Sequence, residues 1–149
     1  MIVRIMLALS LGVLSSACTR ANNTAFVLPP YPGAALLLQC SRSTPEGTTD
    51  YWKPTYHDIA ELEKRLVPFL KSTPSGSAVL PLTKYHRQYV GFVKDGKRYI
   101  YGNFYTPSAD IKNEASRPVV TCDGGKHFWG VVYSMETKSF SDLQFNGEA

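Results

Sequence analysis

The spacing of hydrophobic positions changes character several times along the chain, and each change marks a boundary. Ile5 to Leu14 is an apolar run of about ten residues with one positive charge, Arg4, ahead of it and the small residues Ser15, Ser16 and Ala17 behind it. Residues 19–35 lose that character: Asn, Thr, Ala, Pro and Gly dominate, with Pro29-Pro30-Tyr31-Pro32-Gly33 at the centre. Such a composition buries too little surface to order itself and predicts a flexible tether. Ala35 to Cys40 is a short apolar run read as a first strand, and Ser41 to Asp50 is a polar loop broken by Pro45 and Gly47.

A helical period follows. Thr55-Tyr56-His57-Asp58 offers a hydroxyl N-cap with an acid three residues on, close to a capping box, and Pro54 precedes it. Ile59, Leu62, Leu66 and Phe69/Leu70 then recur at three- and four-residue intervals, so one face is apolar. Pro68 is expected to kink or end this helix, and Ser72 to Ser77 to form a loop.

From there the period is that of strands. Tyr89 to Lys94 and Lys97 to Phe104 are aromatic and β-branched runs joined by Asp95-Gly96, the dipeptide suited to a type I′ hairpin turn. Pairing Lys94 with Lys97 places Val90, Phe92, Tyr99 and Tyr101 on one face and Tyr89, Val93, Arg98, Ile100 and Phe104 on the other. Val119 to Cys122, Phe128 to Tyr133 and Phe140 to Phe145 read as further strands. One amphipathic helix followed by strands predicts an α+β fold, the helix packed on one face of an antiparallel sheet of about four to five strands. The expected organisation is residues 1–17 as a cleaved signal peptide, 18–35 as a tether and 36–149 as a single domain.

Composition narrows the class. The chain has 149 residues, 44% of them hydrophobic and 19% charged, with net charge +4, the profile of one globular domain. Loss of residues 1–17 removes only Arg4, which takes 16 basic groups to 15 against 12 acidic ones and leaves +3. That bias is too mild for a nucleic-acid-binding surface.

Ser15-Ser16-Ala17-Cys18 resembles the lipobox of bacterial lipoproteins, in which the cysteine becomes the lipid-bearing N-terminus, although Ser15 stands where Leu is usual. Ordinary cleavage after Ala17 or Ala21 is the alternative. With three cysteines in an exported chain, lipid on Cys18 leaves Cys40 and Cys122 as a natural pair. Their disulfide, closing a loop of roughly 80 residues, would stabilise the fold by about 4 kcal/mol through chain entropy. Two separate buried thiols are the alternative, which export disfavours.

Candidate chemistry is sparse. His57, His86 and His127 have no His or Cys partner at zinc-ligand spacing, so no metal site is expected. Pro74-Ser75-Gly76-Ser77 lacks the strand-turn-helix setting of a nucleophile elbow, and the carboxylates form no pair suited to glycoside hydrolysis. Asp123-Gly124-Gly125 reads as a turn rather than an anion nest. No enzyme activity and no cofactor are expected. Bases and aromatics do interleave at Tyr85, Arg87, Lys94, Lys97, Arg98, Tyr99 and Tyr101, and Trp129 sits in a second cluster with Phe128. These are the candidate partner-binding residues, because Tyr, Trp and Arg dominate interface hot spots. The competing reading makes the lysines guards against edge pairing and the aromatics core.

Trp52-Lys53-Pro54, Tyr89-Val90-Gly91, Cys122-Asp123-Gly124-Gly125, Phe128-Trp129-Gly130-Val131 and Phe145-Asn146-Gly147 together resemble a group of small, uncharacterised exported proteins and lipoproteins of Gram-negative bacteria. The resemblance covers roughly the last two thirds of the chain. It implies an envelope location and a single domain, and it carries no catalytic residue. The expectation is an outer-membrane lipid anchor facing the periplasm, or a soluble periplasmic or secreted form. The function expected is a non-catalytic protein-binding module, an inhibitor or immunity protein for a periplasmic enzyme or toxin. The alternatives are an envelope scaffold or a small-ligand or glycan-binding module using Trp129 and the tyrosines. The partner is expected to be a periplasmic or envelope protein, with no nucleic acid.

Overall fold

The computed structural model describes residues 24–148. The signal peptide and Cys18 lie outside them. The centre of the fold is the hairpin of β3 (His86–Lys94) and β4 (Lys97–Tyr105), which pair antiparallel from His86↔Tyr105 to Lys94↔Lys97. Asp95 and Gly96 turn it with φ of 51° and 71°, both positive as a type I′ turn requires. β5 (Phe128–Ser134) pairs with β4, and β6 (Phe140–Phe145) pairs with β5, both antiparallel. On the other side of β3 lie two short strands end to end: β1 (Ala25–Val27), parallel, and β2 (Asp50–Trp52), antiparallel. The result is an α+β fold on a six-stranded mixed sheet.

Several expectations need correction, among them that of Ser72 to Ser77 as a loop, since Pro74–Ser77 forms a helical turn. Residues 25–35 are not all tether: β1 joins the sheet, and the turn α1 (Pro30–Gly33) follows it, with Leu28 and Gly33 buried. Pro-rich composition misleads here because α1 carries proline at its start, where a missing N–H costs nothing. Ala35 to Cys40 is not a strand; Ala34–Leu37 is a 3-10 turn that buries Leu36 and Leu37. Val119 to Cys122 makes no ladder and runs as irregular chain. The hairpin strands are interior, so their lysines do not guard a sheet edge.

The long helix α2 (Tyr56–Lys71) starts as expected, with Thr55 and Asp58 forming a reciprocal capping box. Pro68 neither ends nor breaks it, because Pro68 and Lys64, the residue four before it, are both exposed. The carbonyl that proline leaves unpaired therefore faces water. Ile59, Leu62, Leu66 and Leu70 bury against Tyr89, Ile100, Phe104, Trp129, Val131 and Tyr133. Each fully buried leucine contributes roughly 2 kcal/mol.

The opposite face of the sheet is covered as well. Leu28, Leu36 and Leu37 pack on Val90, Phe92, Tyr101 and Val132. That explains why both faces of the hairpin are apolar: α2 takes one and the 28–37 segment takes the other. The second cover continues in the 106–124 loop, and Cys40–Cys122 joins these two pieces with Cα atoms 5.0 Å apart. Among the described residues no helix is long and apolar enough to cross a membrane.

Candidate functional site

The covers are positioned by three buried amide side chains on the second face. Gln88, fully buried, donates to the carbonyls of Glu114 and Arg117, both at 2.6 Å, and accepts from the Val119 N–H at 2.8 Å. Its cross-strand partner Asn103 donates to the Val119 carbonyl at 2.9 Å. Asn146 donates to the carbonyls of Thr121 and Asp123. Side chains thus replace the ladder expected for residues 119–122, satisfying backbone groups that would otherwise be costly to bury.

Arg42 lies among the same residues. Only 8% exposed, it donates to the Tyr101 hydroxyl at 3.0 Å, to Asn146 Oδ1 at 2.6 Å and to Asn103 Oδ1. Among the described residues no carboxylate is ion-paired with it, and neutral oxygens solvate this buried cation. Burial raises the pKa of Tyr101, partly offset by the Arg42 charge. The network fixes residues 41–43 against the sheet. Further along, His86 Nδ1 and the Tyr105 hydroxyl both meet Glu114 Oε2, at 2.6 and 2.8 Å, clamping the 106–117 loop to the start of β3. Burial and the adjacent Glu114 raise the Tyr105 pKa strongly, which keeps its hydroxyl a proton donor.

Half of the aromatic and basic candidates are consumed by the fold. Trp129 is fully buried and stacked on Phe104 at 3.8 Å, with Tyr85 edge-on at 5.6 Å. Tyr85 donates to the Lys126 carbonyl at 3.1 Å, and Tyr101 serves Arg42. Arg87 is bound by Glu63 of α2 at 2.6 Å, and Tyr89 donates to the same carboxylate at 2.8 Å. Tyr85, Tyr101 and Trp129 are buried, and Arg87, largely covered, is committed to Glu63, so these four candidates have little to offer a partner. The reason is period: strand alternation sends alternate residues inward on each face, and here both faces are covered.

Lys94, Lys97, Arg98 and Tyr99 are different. They surround the hairpin turn at the end of the sheet. Lys97 and Arg98 are exposed, and Lys97 reaches Glu136 at 3.3 Å, a solvent-screened pair. Arg98 lays its guanidinium over the Trp52 ring at 3.5 Å. Trp52 itself rests on Gly91, where an added Cβ would come within 2.4 Å of the indole. Only glycine leaves room for that contact. Tyr56, at the start of α2, is 80% exposed.

On the other side of the turn lies a cavity of about 320 Å³ between the 43–46 loop and strands β3 to β6. Phe92, Tyr99 and Val132 line it as apolar surface, with Ser43, Thr44, Glu46, Lys94, Ser141, Asp142 and Gln144 as polar groups. Sequence reasoning missed this cavity, since the loop that walls it is held in place by Arg42, a residue with no local signal. Among the described residues no group of three His, Cys, Asp or Glu is placed to hold a metal. No protein-family model, no curated protein and no solved structure matches the chain.

Proposed function

We propose that this protein is a non-catalytic binding module of the bacterial cell envelope, exported by residues 1–17 and lipid-anchored through Cys18. It faces the periplasm from the outer membrane and engages one periplasmic or envelope protein with its hairpin end, in the manner of an inhibitor or immunity protein. The observation that supports this reading most is the hairpin tip. Lys97, Arg98 and the Trp52–Arg98 stack form an exposed cationic and aromatic surface on an interior, doubly covered hairpin. Arg98 is already seated on Trp52, so less ordering entropy opposes binding through it. The opposite number it suits is the acidic cleft of a hydrolase.

The test is capture from detergent-solubilised envelope and secreted proteins by the full-length oxidised chain, beside the Lys97→Ala/Arg98→Ala double variant. One stoichiometric partner is expected, its affinity for the variant at least tenfold lower and its affinity for the parent falling as salt rises. A partner held equally well by both forms and at all salt concentrations overturns the assignment to the hairpin.

A further inference from the structure

The cavity beside the hairpin carries chemistry that the partner surface does not use. Its polar groups are of mixed sign: Lys94 donates, Glu46 and Asp142 accept, and Gln144, Ser43 and the Tyr99 hydroxyl do both. Glu46, Lys94, Gln144, Ser43 and the Tyr99 hydroxyl make no side-chain hydrogen bond or ion pair among the described residues, and Asp142 accepts only from its neighbour Ser141, at 2.9 Å. The clusters nearby are the contrary case. Arg42, Asn103, Asn146, Gln88 and Glu114 are all consumed by protein partners. Unspent donors and acceptors therefore converge on one space.

The apolar part is equally specific. Phe92, buried, backs Tyr99 in a stacked pair with ring centroids 5.3 Å apart and planes 19° from parallel. Tyr99 is thereby held as a fixed aromatic surface in the cavity wall. The lining residues come from β3, β4, β5 and β6, four neighbouring strands, so the slot runs across roughly 14 Å of sheet. It is longer than a single sugar ring. One ammonium against two carboxylates leaves the lining one charge negative, which disfavours an anion, while Lys94 among them opposes a simple cation. A neutral ligand with many hydroxyls, an apolar ring face and an elongated outline matches all these features.

We propose that this cavity is a binding site for a short neutral saccharide, with Tyr99 stacking on a sugar ring and Glu46, Asp142, Gln144 and Lys94 sharing its hydroxyls. The site is distinct from the Lys97–Arg98 surface and does not depend on the protein partner.

The experiment is a titration of the full oxidised chain, labelled with nitrogen-15, with maltose, cellobiose and N,N′-diacetylchitobiose, with spermidine as a cationic probe. Saturable shifts confined to residues 43–46, 92–99, 132 and 141–144 are expected for at least one disaccharide. Tyr99→Ala is expected to weaken it about tenfold. Because that change removes a packed ring, Asp142→Asn and Glu46→Gln serve as second variants. Residue 142 sits at φ 53°, a conformation asparagine tolerates, and Glu46 is exposed, so both should fold normally. Each is expected to weaken binding while Lys97→Ala/Arg98→Ala leaves it unchanged. Absence of saturable shifts with all three sugars, sugar binding indifferent to the three cavity variants, or binding of spermidine alone overturns the proposal.

Discussion

At the scale of single residues, two positions do what no other residue type in the fold could do there. Arg42 gathers the Tyr101 hydroxyl, Asn103 and Asn146 around a buried guanidinium. Arg42→Met removes the donor and leaves three oxygens unpaired, so it should cost at least about 2 kcal/mol, read as a lowered urea midpoint. Gly91 is the other. Gly91→Ala drives the Trp52 ring off its seat and away from Arg98, and overpacking of this kind costs about 1–3 kcal/mol. The tryptophan emission should move to longer wavelength as Trp52 becomes more exposed, since Trp129 is already sealed in the core. An unchanged spectrum would mean that Trp52 does not rest on Gly91.

At the scale of elements, the cap of α2 is a titratable joint. Burial opposes ionisation of Asp58, but hydrogen bonds from the Thr55 hydroxyl and backbone N–H outweigh it and hold the carboxyl below its usual value. A depressed folded-state pKa stabilises the protein above the unfolded value, and that stabilisation is lost as pH falls through the folded one. Asp58→Asn should therefore be less stable than the parent at neutral pH, with the gap closing in acid; Thr55→Ala should cost about 1 kcal/mol. Thermal melts between about pH 7 and pH 2 read both effects. This helix and the β3–β4 hairpin were legible in sequence because each depends on local rules: a cap with a 3.6-residue period, and an Asp-Gly turn with alternation. β1 and β2 were not, since each has three residues and exists only by pairing with β3, 39 to 62 positions away in sequence. Residues 119–122 looked like a strand, yet distant Gln88, Asn103 and Asn146 satisfy their backbone, which no local pattern reveals. Of the candidate site, the hairpin tip was readable from its turn, whereas the burial of Tyr85, Tyr101 and Trp129 required knowing that both sheet faces are covered.

At the scale of the whole molecule, the Cys40–Cys122 bridge spans 82 positions and fastens together the two segments that roof the second face. Reduction should lower stability by up to about 4 kcal/mol, visible as a shift of the thermal midpoint with dithiothreitol. The roof should loosen before the helix side, so protection of amides 119–124 from hydrogen exchange should fall more than that of α2. Parallel β1 has a further result. Ala25 lies beside Arg87, at the end of β3 farthest from the turn. If Cys18 carries the proposed lipid, the six residues between it and this strand span at most about 25 Å. The hairpin tip stands seven residues further along β3, roughly 24 Å beyond the attachment point. Under the proposed anchor, this end of the sheet lies nearest the bilayer and the tip with Lys97 and Arg98 lies at the far end of the hairpin. Covalent geometry would then set an upper limit on the standoff, so only molecules passing within that short radius of the membrane would come within reach of the tip.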